Sequence, residues 1–157
     1  MRYQEHIIEA TREAAEATFR YLRAVPADKL EWQPAETSRH ALDLAREIAW
    51  CPLWSADLLE GKPFEWSPEI QEQMKAKDSQ WKTVADCERV FAEHFSRYEA
   101  VVSALSDEDL AKTQFLPFDG GRDHSYKELA AFPHWNIVYH QGQVAYIQTL
   151  YGDGNMY

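Results

Sequence analysis

Three polar side chains fall on the side of a long C-terminal segment that should be buried. Residues 126–151 have the apolar spacing of a helix, and Asn136, His140 and Gln143 share the side of its apolar residues. Burying such groups without partners costs roughly 1–3 kcal/mol each. An imidazole and two amides can bind a metal or a ligand, or can form hydrogen bonds within a core. The spacing therefore predicts either a functional site or an internally paired polar cluster.

A second amphipathic segment, over residues 38–60, carries an acid in a similar position. Glu47 lies on its apolar side, and the residues that could line a pocket beside it are His40, Asp43, Trp50 and Trp54. An acid here can bind a metal or accept a hydrogen bond from His140 across the core. Alternatively, Asp43 and Glu47 lie at the rim of the interface between helices and pair with Arg39 or Arg46.

Four segments with helical spacing position these residues. They cover residues 3–25, 38–60, 79–105 and 126–151. Helices of this length predict an all-α four-helix bundle, in a single domain over residues 1–157. The stretch 64–77 is predicted to be a surface loop with at most a short helical turn. The stretch 106–125 is predicted to be a capped turn followed by an irregular loop.

Capping residues and prolines refine these helices. Ser38 is predicted to cap the second helix, and Ser125 with Glu128 forms a capping box for the fourth. Pro52 should kink the second helix or shift its hydrogen bonding locally, and Pro133 should bend the fourth helix just before Asn136.

Composition limits the possible partners. The chain of 157 residues has a formal net charge of −10, which argues against binding to nucleic acid or to an anionic membrane surface. Its two cysteines, Cys51 and Cys87, lack metal-type spacing, as expected of a reduced intracellular protein. No segment approaches the ~20 apolar residues of a membrane span, and the first residues do not resemble a signal peptide. We therefore expect a cytoplasmic protein.

Three stretches in the same order resemble the DinB/YfiT-like family. They are AVPADKLEWQP (24–34), LDLAREIAW (42–50) and NIVYHQGQV (136–144), and the resemblance covers nearly the whole chain. It implies a compact bundle with an up-down-down-up helix order, often a homodimer. It also implies a divalent metal held by three histidines between the second and fourth helices. The better characterised members are thiol-dependent transferases or isomerases.

The resemblance places the three metal ligands at Glu47, Asn136 and His140. Only one of the three is a histidine in this chain, while Gly142 and Gln143 match the Gly-Gln that follows in the family. One carboxylate, one amide and one imidazole should bind Zn²⁺, Ni²⁺ or Mn²⁺ far more weakly than three imidazoles. The alternative is a metal-free hydrogen bond between Glu47 and His140.

Three functions are consistent with these observations. The first is a metal-dependent hydrolase or thiol-dependent transferase with a degenerate metal site. The second is a metal-free bundle that binds a small molecule in the pocket beside Trp50 and Trp54. The third is a dimeric structural or stress-response protein without catalytic activity, whose interface uses Trp135, Tyr139 and Tyr146, the residues that project away from His140.

Overall fold

The computed structural model describes residues 1–118 and 120–157 and is mainly helical. Its elements are α1 (Tyr3–Ala24), α2 (Ala41–Leu59), α3 (Pro68–Asp78), α4 (Val84–Ala104), β1 (Thr113–Leu116), β2 (Arg122–Ser125) and α5 (Tyr126–Leu150). Short 3₁₀ turns lie at Ala27–Lys29 and Asp109–Ala111.

The four long helices α1, α2, α4 and α5 form a bundle around one hydrophobic core, which confirms the predicted fold class. α5 packs against α1 and α2, and α4 packs against the same two helices on the other side. Leu22, Ile48, Tyr98 and Ile137 contribute one fully buried side chain from each helix. Among the described residues, no helix combines the length and the apolar character that crossing a membrane requires.

α2 continues through Pro52 without a break, and the proline changes the local hydrogen bonding. A proline has no N–H to donate to the carbonyl four residues earlier, which here belongs to Ile48. The thiol of Cys51 donates to that oxygen instead, at 3.2 Å.

α5 likewise continues through Pro133, and a side chain of a neighbouring helix supplies the missing donor. Pro133 leaves the carbonyl of Leu129 without its backbone partner. The Ser55 hydroxyl on α2 donates to this oxygen at 2.7 Å, and the Tyr98 hydroxyl on α4 donates to the carbonyl of Ala130 at 2.6 Å. The proline therefore explains the contact with α2, and Tyr98 adds a second contact from α4.

Helix α2 begins later than predicted, and the expectation that Ser38 caps it was wrong. His40 is the capping residue, and its Nδ1 accepts a hydrogen bond from the backbone N–H of Asp43 at 3.2 Å. Ser38 instead bonds the backbone of Ala35 in the preceding turn. The predicted capping box of Ser125 and Glu128 is confirmed.

The third long helix also begins later than predicted. Thr83 caps α4 and forms a capping box with Asp86, whereas a helix from residue 79 was expected. Trp81 therefore precedes the helix, but its side chain is still buried in the core.

The stretch 64–77 was predicted to be a surface loop with at most a short helical turn, and this prediction was wrong. Most of the stretch belongs to the eleven-residue helix α3. Ser67 caps it, and Pro68 occupies its first turn. None of its residues is buried, so it lacks the apolar periodicity by which helices are recognised in sequence.

The predicted irregular loop after α4 contains an antiparallel hairpin of β1 and β2, in which Thr113 pairs with Ser125 and Leu116 with Arg122. Gly120 and Gly121 both have positive φ angles of 87° and 80° in its turn. The hairpin leads directly into α5 and so fixes where that helix begins.

Candidate functional site

Glu47 and His140 meet between α2 and α5. Nε2 of His140 lies 2.9 Å from Oε1 of Glu47, and the His140 side chain is only 4% exposed. Asn136, one turn earlier on α5, donates from Nδ2 to the same carboxylate oxygen at 3.0 Å. Arg39 forms an ion pair with the other oxygen, Oε2. The acid and histidine that the sequence placed on facing helices are therefore in direct contact.

Gln143 fixes the orientation of the His140 ring. Its Oε1 accepts a hydrogen bond from Nδ1 of His140 at 2.6 Å. The other ring nitrogen, Nε2, faces Oε1 of Glu47. Gln143 therefore holds the ring with Nε2 toward the carboxylate.

The carboxyl of Glu47 is strongly stabilised in its ionised form. Partial burial alone would raise its pKa. Hydrogen bonds from His140, Arg39 and Asn136 outweigh that effect and lower the pKa to about 2. Glu47 is therefore a fixed negative charge at neutral pH, held from three sides.

The side chains aligned with the family's metal-binding histidines bind one another here and do not fit a tightly held divalent metal as they are arranged. Asn136 presents its Nδ2 donor to Glu47, where a metal would need a lone pair, and both carboxylate oxygens already accept hydrogen bonds. In the described part of the chain, no three His, Cys, Asp or Glu side chains are grouped as a metal site. One atom stays outside the network: Oδ1 of Asn136 is buried without a partner.

A cavity of about 540 Å³ opens beside this network, between α2, α3 and α5. Its walls are rich in aromatic side chains: Trp50, Trp54, Phe64, Trp66, Phe118 and Phe132. Glu47 and Asn136 also line it, so the polar network is accessible from the cavity. This combination of apolar walls and a few convergent polar groups is typical of small-molecule sites.

The cavity includes most of the residues predicted to form a pocket. Asp43, Trp50 and Trp54 line it. Gln143 contacts His140 from behind and does not line the cavity. His40 does not line it either, because its ring caps α2 and lies 3.2 Å from the carboxylate of Asp43.

Sequence reasoning missed several of the lining residues. Arg39 and Arg46 were considered only as rim partners, yet both line the cavity. The inner side of α3 contributes Gln71, Met74, Lys75 and Asp78. The signal that could have found α3 is local: Ser67 followed by Pro68 is a typical helix start.

Structural comparison finds chains of the same fold over nearly the full length. A DinB-like protein from Bacillus subtilis is 16% identical, with 97% of this chain and 96% of that chain covered at a TM-score of 0.65. A conserved protein from Enterococcus faecalis is 12% identical, with 96% and 97% covered at a TM-score of 0.71. The colibactin self-resistance protein ClbS, solved in complex with double-stranded DNA, is 14% identical, with 93% and 95% covered at 0.65.

No protein-family model matches the sequence, and no curated protein does. The structural likeness nevertheless shows that the chain has the DinB-like fold, which confirms the fold that the sequence resemblance implied.

Proposed function

We propose that the chain is a small-molecule-binding protein with the DinB-like fold, whose ligand occupies the cavity between α2, α3 and α5. The observation that carries this proposal is the ionised Glu47, held by His140, Asn136 and Arg39 at the wall of an aromatic cavity. A polar network of this kind costs stability unless it is fully paired. Its exposure to a cavity supports a role in ligand binding.

The proposal is tested with a neutral aromatic probe, 2-naphthylmethanol, followed by two-dimensional NMR of the ¹⁵N-labelled protein. We expect chemical-shift changes at residues of α2, α3 and α5 that line the cavity. Trp54→Ala should weaken binding, because it removes part of the wall, and Trp32→Ala should not, because Trp32 packs on Tyr151 outside the cavity. Shifts confined to other surfaces, or none at millimolar probe, would contradict the proposal.

A second candidate function is the metal-dependent one, as a hydrolase or thiol-dependent transferase. The observation that favours it is the buried, unpartnered Oδ1 of Asn136. If the amide turned over, this oxygen would face Glu47 and His140 in place of Nδ2. The three side chains would then offer two oxygens and one nitrogen to a divalent cation.

Metal analysis of protein purified without a histidine tag tests this candidate. Zn²⁺, Ni²⁺ or Mn²⁺ at near-equimolar concentration should raise Tm if the site binds metal. The double variant Glu47→His with Asn136→His is the positive control, since it restores the three-histidine set implied by the resemblance. Stabilisation of the double variant alone would exclude the metal-dependent function for the natural chain.

We also propose that the protein forms a homodimer through the outer face of α5. Its exposed side chains include Trp135, Tyr139 and Tyr146, which are 59%, 54% and 65% exposed. No Asp, Glu, Lys or Arg occurs between residues 129 and 150, although the chain has a net charge of −10. An uncharged face lets two acidic copies meet with little repulsion. Gly142 lies midway along it, and a side chain there would meet nothing within 4 Å, so two helices can approach closely.

Sedimentation velocity tests the dimer. We expect a dimer for the natural chain and a monomer for Trp135→Lys with Tyr139→Lys, with an unchanged circular dichroism spectrum. Phe115→Lys is the matched control, because Phe115 is 60% exposed but lies on β1. A concentration-independent monomer of the natural chain would refute the proposal.

The cysteines support an intracellular location. Cys51 and Cys87 are both free and both buried. Free thiols persist most readily in a reducing compartment. We therefore propose the cytoplasm as the place where the protein acts.

A further inference from the structure

The charged groups that line the cavity differ in how well they are paired. Arg46 is well paired: its Nε and Nη2 donate to the carbonyl of Trp81 at 3.1 and 3.0 Å, and its Nη1 donates to Asp43 at 3.2 Å. Arg39 and Glu47 form the ion pair already described. The lining cation that remains, Lys75, is exposed to water, which solvates it.

Asp78 is the exception among the lining acids. It is partly buried, and no Lys, Arg or His nitrogen of the described residues forms an ion pair with it. Burial raises the pKa of its carboxyl, an effect that the charge of Arg46 opposes. The indole N–H of Trp50 lies near it without making a hydrogen bond of ordinary geometry.

The position of Asp78 in α3 is also unfavourable for a negative charge. It is the last residue of the helix, where the free carbonyl groups form the negative end of the helix dipole. An acid at this end destabilises a helix, whereas the acid at its first turn, Glu69, is well placed. A partly buried acid without an ion-pair partner, at the C-terminal end of a helix, is expected to lower the stability of the folded protein.

The aromatic walls complement such an acid. Trp54 packs against Phe132 and Phe64 at ring-centroid distances of 4.6 and 5.8 Å and leaves an apolar wall toward the cavity. Trp50 already binds a cation, since Nζ of Lys77 lies 4.9 Å from its ring centroid. Indole faces attract cations because of their electron-rich π systems.

We propose that the ligand of this cavity is an organic cation: a flat apolar or aromatic body that packs against Trp54 and the other aromatic walls, with an ammonium group that pairs with Asp78. This inference rests on the proposed function, because it names the class of ligand for the same cavity. An anionic ligand is disfavoured, since Asp78 would repel it and since Arg39 and Arg46 are each already paired with an acid.

Three probes that share one ring test the charge: 2-naphthylmethylammonium, 2-naphthylmethanol and 2-naphthylacetate. Binding is measured by calorimetry and located by ¹⁵N NMR on the full chain. We expect the cation to bind roughly tenfold more tightly than the neutral probe, the usual scale of a partly desolvated cation–π and ion-pair contact. The anion should bind most weakly.

Asp78→Asn should remove the preference for the cation over 2-naphthylmethanol. Because it also removes an ill-placed charge, its Tm without ligand should equal or exceed that of the natural chain. Asp28→Asn, a substitution at an exposed acid outside the cavity, is the matched control. It should change neither the preference for the cation nor Tm.

The outcomes separate this inference from the function on which it rests. If the neutral probe binds in the cavity but the cation binds no more tightly, the ligand class is wrong and the binding function stands. If the preference for the cation survives in Asp78→Asn, the role assigned to Asp78 is wrong. If no probe binds in the cavity, both proposals fail.

Discussion

Glu47 shows how a charged residue can be kept at the edge of a hydrophobic core. Its side chain is 39% exposed, while its partner His140 is 4% exposed. Removing one member of such a pair leaves the other buried and unpaired, which is costly. The interaction between the two can therefore be measured separately from the cost of each substitution.

A double-mutant cycle with Glu47→Gln and His140→Ala should give a coupling energy of at least about 1 kcal/mol. The contact lies at the bundle interior, where water screens only one of the two groups. Urea unfolding of the natural chain, the two single variants and the double variant provides the measurement.

The pair Arg89 and Glu93 on α4 is the matched control for this cycle. Its side chains are 61% and 63% exposed, and we expect a coupling of only about 0.3–0.5 kcal/mol. Equal coupling energies for the two pairs would contradict the view that Glu47 and His140 interact in the core.

The two thiols should be unreactive in the folded protein. Burial raises the pKa of Cys87 to about 12 and that of Cys51 well above its usual value. The thiol of Cys51 is also engaged with the carbonyl of Ile48. We expect no reaction with DTNB under native conditions over the time in which an exposed thiol reacts completely, and reaction of both thiols after unfolding in guanidinium chloride.

Rapid labelling of one cysteine in the native state would disprove this expectation. It would also make that thiol a candidate nucleophile. Cys51→Ala and Cys87→Ala would then identify which of the two had reacted.

The residues at the centre of the site were predictable because each lies on a regular helix. Helical periodicity is enough to turn His140 and Glu47 inward, and Asn136 follows from its position one turn before His140. The role of Asp78 was not predictable, because it depends on where an unpredicted helix packs. The capping role of His40 was missed because a histidine is an uncommon N-cap.

At the scale of helices, the prolines of α2 and α5 explain two buried polar contacts. Each proline frees a carbonyl oxygen inside the bundle, and each such oxygen receives a side-chain donor from nearby. The side chain of Ser55 is completely buried, and its hydroxyl donates to the carbonyl of Leu129. The sequence could predict a disturbed helix, but not that a hydroxyl from another helix would repair it.

Ser55→Ala should destabilise the protein by about 1–3 kcal/mol, because it leaves the carbonyl of Leu129 buried without a donor. Ser96→Ala on α4 is the matched control and should change stability by less than about 0.5 kcal/mol, since Ser96 is exposed. Thermal and urea unfolding measure both. A loss as small for Ser55→Ala as for Ser96→Ala would mean that Pro133 needs no such partner.

The four long helices were predicted and the smaller elements were not, for a physical reason. α1, α2, α4 and α5 each bury an apolar side, which leaves a periodic pattern in the sequence. α3 buries none of its residues, and the hairpin strands have only four residues each. Elements that contribute little to the core leave little hydrophobic pattern, yet α3 forms one wall of the cavity.

For the whole molecule, charge is distributed in a way that bears on its partners. The chain contains 26 acidic and 16 basic residues, and several of the basic ones are engaged with acids, as in the pairs of Arg12 with Glu99 and Arg97 with Asp57. The excess of acidic groups disfavours contact with an external polyanion. This matters because one protein of the same fold, ClbS, is solved in complex with double-stranded DNA.

We expect this chain not to bind double-stranded DNA. Affinity for a duplex requires a basic surface that replaces condensed counterions, and a net charge of −10 produces repulsion instead. Fluorescence anisotropy of a short labelled duplex at low salt should stay unchanged up to roughly 10 µM protein, where non-specific DNA-binding proteins already bind. Binding that weakens steeply as salt is raised would reveal a basic surface that the overall charge conceals. Binding insensitive to salt would instead point to stacking of bases on exposed aromatic side chains such as Trp66 and Trp135, and either result would overturn the expectation.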